Sequence, residues 1–243
     1  MFNRDTKCLA LLIDPENTHR AEEIAAVVNT AEEAGIDFIF VGGSLVTHNV
    51  IDEVVKGIKS FTQLPVILFP GGLNQISKHA DGILFLSLIS GRNPEFLISK
   101  QVAAAPLIKK LGLEVIPTGY LLIGETSSAS YMSNTRPIPY HKTDIATATS
   151  LAGELMGKKA IYMDAGSGAS EPIRIEMISA VRNTISLPLI VGGGIRSFDS
   201  AYAALEAGAD VIVVGNAAEK NPQAIKEIAG AVRAMNSLTK KQN

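Results

Sequence analysis

The residues best placed to do chemistry stand where apolar runs end. "AIYM" (160–163) gives way to Asp164, Gly166, Ser167 and Gly168, an acid followed at once by small residues. Two later runs end in a similar way, in "GGGIRS" with Gly193 and Gly194, and in "GNA" with Gly215 and Asn216. Glycine lets backbone N–H groups approach an anion without a Cβ in the way, and a helix N-terminus behind such a turn adds partial positive charge. One such turn is no more than a tight connection. Three in succession, with Ser167 supplying a hydroxyl, read as a phosphate site. Nearer the N-terminus, Asp14 closes the first run and Ser44 follows the glycine pair that closes the second. Two hard oxygen donors side by side suit magnesium, which keeps several waters and takes its other ligands from substrate phosphates. On spacing alone, Asp14 serves equally well as a helix N-terminal acid.

These residues form one site only if the frame gathers the run ends together. The runs are "CLALLI", "FIFV", "PVILF", "GILFL", "LEVI", "AIYM", "LPLIV" and "VIVV", rich in Ile, Val and Leu and without polar alternation. Such strands are parallel and covered on both faces. Between them lie amphipathic segments such as "HRAEEIAAVVNTAEEAG" and "DSAYAALEAGA", each reaching a glycine suited to ending a helix. Eight βα units in 243 residues describe a single α/β domain over residues 1–243, a TIM-type (β/α)8 barrel. "NQISKHAD" after strand three is too short for a full helix, so that helix is expected to be short or missing. A doubly wound open sheet is the alternative. All strands of a barrel point one way, so every strand exit faces one site. "PTGY" reads as the exit of strand five and puts Tyr120 there, where it either helps hold substrate or serves as a core or rim residue. The segment from Ile123 to Tyr140, rich in Ser, Thr and Gly, reads as a mobile cover.

Composition removes several classes of function. Lys and Arg number 22 against 24 Asp and Glu, a net charge of −2, which does not fit a surface built for nucleic acid. The one cysteine, Cys8, lies inside "CLALLI" and reads as a small buried side chain, and a single cysteine permits no disulfide framework. His19, His48, His79 and His141 show no zinc spacing, and His48 reads as a solvated surface residue. No G-x-S-x-G elbow occurs. With no basic-then-apolar leader and no run of about 20 apolar residues, the cytoplasm is the expected compartment.

Taken in order, "LLIDPE", "FVGGS", "FPGG", "PTGY", "YMDAGSGA", "VGGGIR" and "VGNA" make the sequence resemble the geranylgeranylglyceryl phosphate synthase family, which includes bacterial heptaprenylglyceryl phosphate synthases. The resemblance implies a magnesium-dependent prenyltransferase on a modified TIM barrel. It would join sn-glycerol 1-phosphate to an allylic prenyl diphosphate, in the first ether bond of archaeal-type lipids. The implied metal ligands are Asp14 and Ser44. The implied glycerol phosphate site is Tyr162, Met163, Asp164, Ala165, Gly166, Ser167, Gly168, Gly193, Gly194, Gly215 and Asn216, with Asp164 orienting or deprotonating the attacking hydroxyl. The family motif usually carries glutamate where this chain has Asp164. The stretches "FLSLIS" and "GYLLIG" would line the prenyl groove. Implied partners are the two small substrates, other copies of the chain in a homo-oligomer, and a membrane touched transiently at product release. Two rivals share the phosphate site: a phosphosugar isomerase or aldolase, against which no lysine stands at a strand exit to form a Schiff base, and a non-catalytic phosphometabolite-binding barrel.

Overall fold

The computed structural model describes residues 2, 4–215 and 221–242. Eight parallel strands close into a barrel in sequence order: β1 (Cys8–Ile13), β2 (Phe38–Val41), β3 (Val66–Leu68), β4 (Gly82–Leu88), β5 (Glu114–Leu122), β6 (Ala160–Asp164), β7 (Leu189–Gly192) and β8 (Val211–Val214). The last strand pairs with the first, Leu9 lying opposite Ile212. The helices are α1 (Ala21–Ala34), α2 (Ile51–Phe61), α3 (Lys100–Leu111), α4 (Ser128–Met132), α5 (Thr143–Leu155), α6 (Ile175–Thr184), α7 (Phe198–Glu206) and α8 (Pro222–Gln242). No helix among the described residues is long and apolar enough to cross a membrane.

Strand alternation divides the apolar residues between two layers. Leu9, Leu11 and Ile13 of β1 point outward to Ile24 and Val28 of α1, while Ala10 joins Phe40, Leu84, Tyr162 and Ile190 inside the barrel. Both layers bury mainly apolar side chains, which is why the strands lack polar alternation. Helix α1 stops at Gly35, whose φ of 75° suits the left-handed cap.

Two departures from regularity shape the upper face. The connection from β3 to β4 carries only a 3-10 turn at Leu73–Gln75, so the outer layer is open there, as the short "NQISKHAD" predicts. The second departure corrects the reading of strand five. Despite Pro117 and Gly119, β5 continues through Leu122, so Tyr120 stands within the strand rather than at its exit. Pro117 is tolerated because its carbonyl still accepts the Lys159 N–H at 2.7 Å. Gly119 is required by packing: a Cβ there would lie 2.8 Å from Ile89 and 2.9 Å from Ile161, and Gly153 of α5 meets the same two side chains.

The lower ends of β7, β8 and β1 are joined by one buried acid. Asp210 accepts from Lys7 Nζ at 2.8 Å, from Arg182 Nη1 at 2.8 Å and from the Leu189 N–H at 2.9 Å. Breaking a buried charge cluster by removing one partner typically costs about 3–5 kcal/mol, because the remaining charges stay buried without compensation. Asp210→Ala is therefore expected to destabilise the fold by about that much, lowering the thermal midpoint; a midpoint unchanged in a melting curve would show the cluster to be dispensable.

Candidate active site

A cavity of about 440 Å³ opens at the carboxyl ends of the strands, reaching from Asp14 and Ser44 on one side to Asp164, Gly193 and Gly215 on the other. Its size is that of an ordinary small-molecule site.

Asp164 ends β6 and is 8% exposed. Its Oδ2 accepts from the Tyr120 hydroxyl at 2.5 Å and its Oδ1 from the Gly166 N–H at 2.7 Å. Parallel registry brings these groups together: Tyr120 lies opposite Tyr162 and Leu122 opposite Asp164. Burial raises the Asp164 pKa above the usual aspartate value, and the bonds from Tyr120 and Gly166 oppose that rise without cancelling it. Burial, together with the charge of Asp164, pushes both tyrosines well above their usual range, so both phenols are neutral. Tyr120 spends its one proton on Asp164. The rings of Tyr120 and Tyr162 meet edge-on at 5.4 Å, and Phe69 stacks on Tyr162 at 5.1 Å.

Beside this carboxylate lie the glycine turns of the candidate anion cradle. Gly166 and Gly168 have φ of 94° and 75°, and Gly193 and Gly194 have 82° and 73°, left-handed values that favour glycine, and all four line the cavity. The turns interlock: a Cβ on Gly193 would lie 2.8 Å from the Ala165 and Gly166 nitrogens. The Tyr162 hydroxyl lies over Gly192, 2.7 Å from where its Cβ would be. Gly215 lines the same cavity with Ser167. The expected helix N-terminus is not immediately behind the first turn, since α6 begins only at Ile175; the cradle rests on glycine geometry instead. Met163 and Ala165 do not join it with their side chains, because alternation along β6 turns both into the outer layer. Asn216 lies outside the described residues.

Across the cavity, Asp14 is half-buried and accepts one N–H, from Glu16 at 3.0 Å. Burial raises its pKa, with the Glu16 charge adding to the rise. No basic side chain is paired with it among the described residues, so a cation would relieve both effects. No cluster of three or more His, Cys, Asp or Glu ligands occurs among the described residues. Asp14 and Ser44 thus fit a hard cation that keeps waters and phosphate oxygens in its shell. The Asp14 side chain packs on Gly43, and the loop holding Ser44 meets the β3-exit loop backbone to backbone. A Cβ at Gly43 would lie 2.8 Å from Asp14 Oδ1, and one at Gly71 would lie 2.3 Å from the Gly43 carbonyl. Gln75, 1% exposed, locks this contact: its Oε1 accepts from the Gly43 and Gly71 N–H groups and its Nε2 donates to the Gly43 carbonyl at 2.8 Å.

Between the two polar ends the cavity is apolar, lined by Phe69, Leu84, Leu86, Phe96, Ala104 and Ile108 where the missing helix leaves β4 facing α3. The segment from Ile123 to Tyr140 contributes Ala129, Met132 and Ser133. It is better anchored than its composition implies. The Gly124 N–H donates to the Ile138 carbonyl at 2.7 Å, Ile138 is buried, and Ser127 caps α4. His48 stands exposed beside Glu16, outside the cavity lining. Cys8 is inert where it sits, its pKa pushed up to about 12 by burial and by Asp37 and Asp210.

Comparison with known proteins agrees with this geometry. The PcrB family model matches residues 4–232. A geranylgeranylglyceryl phosphate synthase of Chitinophaga pinensis is 53% identical over 94% of this chain and 91% of its own length. One from Thermococcus kodakarensis is 46% identical over 86% of this chain and 83% of its own. Among solved structures, the (S)-3-O-geranylgeranylglyceryl phosphate synthase of Thermoplasma acidophilum, in complex with its substrate sn-glycerol-1-phosphate, superposes with a TM-score of 0.91. It is 34% identical, over 95% of each chain.

Gly193→Ala tests the cradle. The added methyl would press on the Ala165 and Gly166 nitrogens from a backbone conformation that L side chains rarely adopt. Glycerol phosphate affinity measured by calorimetry is expected to fall at least tenfold, the scale of one lost charge-assisted hydrogen bond. Unaltered affinity would place the phosphate elsewhere.

Proposed function

The chain belongs to the PcrB family, and we propose that it is a prenyltransferase joining sn-glycerol 1-phosphate to an allylic prenyl diphosphate, forming an ether and releasing diphosphate. The donor we propose is geranylgeranyl diphosphate, after the names of the relatives. The observation that carries this reading is a single cavity with an anion cradle and carboxylate at one end, an apolar trough in the middle and a second carboxylate at the other. An isomerase or aldolase for a phosphosugar has no use for the trough.

In this mechanism the cradle formed by Gly166, Gly168, Gly193, Gly194 and Gly215 holds the phosphate, with the Tyr162 hydroxyl beside it. Asp164 faces the glycerol rather than the phosphate, which it would repel. Both its oxygens already accept one bond, from Tyr120 and Gly166, and each keeps a lone pair for the attacking hydroxyl. Tyr120 fixes the carboxylate and has no proton to give the substrate. The hydroxyl oxygen bonds to the allylic carbon as the carbon–oxygen bond to diphosphate breaks, and the hydroxyl proton passes to Asp164. Magnesium, held by Asp14 and Ser44, would neutralise charge on the departing diphosphate. The face of Phe69, beside Tyr120 and Tyr162, lines the path and keeps water from the electron-poor carbon. We place the enzyme in the cytoplasm as a homo-oligomer; the exposed apolar side chains Ile145 and Leu155 of α5 and Met156 just after it favour self-association.

Asp164→Asn is expected to lower turnover about a hundredfold, the scale of lost general-base assistance, while glycerol phosphate binds within a few-fold of the parent. The amide can keep the Gly166 bond through its oxygen and donate to the Tyr120 oxygen. Normal turnover, or outright loss of binding, would remove Asp164 from this role. Because the folded Asp164 pKa is raised and the ionised form is the active one, turnover at saturating magnesium falls as pH drops through a value above 3.8. Asp14→Asn is expected to abolish magnesium-dependent turnover with the fold intact by circular dichroism; activity unaffected by both substitution and chelator would refute the metal site.

A further inference from the structure

Helix α3 presents a graded face to the cavity. Lys100, Gln101, Ala104 and Ile108 line it at helical spacing, so the charge stands at one end and apolar side chains follow below. The charged end is the one nearest the metal loops. Lys100 Nζ reaches across the gap left by the missing helix to within 3.4 Å of the Gly71 carbonyl, a long contact that occupies one of its three N–H donors. Gly71 in turn packs against Gly43 and Ser44 and is held by Gln75. The ammonium also lies 4.0 Å from the centroid of the Phe96 ring. It is half-buried, and no carboxylate pairs with it among the described residues. Lysines withdrawn from solvent without a counter-ion are uncommon, because an unpaired ammonium is costly to desolvate. The bland account is a lysine stem laid along an apolar wall with its head toward water. That account leaves unexplained why the head turns inward, onto the β3-exit turn at Gly71 that packs against Ser44.

We propose that Lys100 binds the diphosphate of the prenyl donor. The assignment rests on the function proposed above and adds to it a protein cation opposite Asp14 and Ser44. On α3 the order of side chains then matches the order of parts in the ligand, with charge against the anionic head and Ala104 and Ile108 against the isoprenoid tail. Phe96 steadies the ammonium while two N–H donors stay free for phosphate oxygens. Lys100 has no part in phosphate binding at the glycine cradle, so its effect falls on one substrate only.

The test uses Lys100→Met, which keeps the apolar stem, and Lys100→Arg, which restores the charge. Binding of inorganic diphosphate is measured by calorimetry with and without magnesium, and KM is measured for each substrate. Lys100→Met is expected to weaken diphosphate and raise the prenyl donor KM about tenfold or more, in both metal conditions, with glycerol phosphate and geranylgeraniol binding as in the parent. Lys100→Arg should recover most of the loss. Parent-like diphosphate binding by Lys100→Met, or equal losses for diphosphate and geranylgeraniol, overturns the assignment. A parent that binds diphosphate through Lys100 but forms no ether sinks the proposed function and leaves the assignment standing.

Discussion

The hydrogen bond from Tyr120 to Asp164 is the contact on which the upper face depends. A carboxylate beside an anion cradle is electrostatically unwelcome, and nothing cationic among its hydrogen-bond partners relieves it. What holds it ionisable is two short donors, one from a neighbouring strand and one from the turn that follows. The strand donor exists only because β5 runs on to Leu122, carrying Tyr120 level with Tyr162. The turn donor exists only because Gly166 takes a positive φ and folds its N–H back to the acid. The same turn carries Ser167 and Gly168, which line the cavity. One local conformation therefore both tethers the carboxylate and begins the proposed phosphate cradle, with no separate element needed for either.

The second constraint is a missing part. A complete barrel would cover β3 and β4 with a helix and keep the interior for packing side chains. Here the 3-10 turn at Leu73–Gln75 leaves a trough between β4 and α3 wide enough for an apolar chain. The loss of a helix removes packing, and Gln75 supplies the compensation by fastening the exits of β2 and β3 through three hydrogen bonds. The apolar opening and the firm mount for the loop of Ser44 thus come from the same shortened connection. Fold alone does not assign this work, since the barrel serves many reactions; the proposed function rests instead on an apolar trough between two polar ends of one cavity.

Much of this was legible in the sequence, and the limits are physical. Short, wholly apolar strands announce a parallel sheet, and four-residue strands such as "FIFV" and "VIVV" coincide with β2 and β8 because nothing at their ends blurs the boundary. Strand five misled because proline and glycine usually punctuate; here the proline carbonyl still accepts from Lys159 and the glycine makes room for the Ile89 and Ile161 side chains, a tertiary demand. The glycine turns were readable as a candidate anion site, but the ten-residue loop between Asp164 and the helix that follows was not, since such loops leave no local signature. Met163 and Ala165 were grouped with the site by adjacency, whereas strand alternation separates them from Tyr162 and Asp164. Gln75 and Lys100 were missed altogether. A buried amide bridging two loops and a lysine aimed by its helix each depend on contacts between segments far apart in the chain.

The two site acids also show how the fold carries its function. Asp14 and Asp164 both have folded pKa values raised by burial, so the native state binds their protons more tightly than the unfolded chain does. Each contributes stability that is fully present below its unfolded pKa and is lost as pH rises through the folded one. Above those folded values both are ionised against the preference of the fold, at opposite ends of one cavity. In the proposed function a hydroxyl donated to Asp164 and a cation at Asp14 would favour the charged forms, and any ligand that binds only the native state adds stability by mass action. The cost of ionising one buried and one half-buried carboxylate would thus be offset in the complex. The clasp at Asp210 sits at the other end of the barrel, where its three hydrogen bonds can hold the strands closed without touching the site.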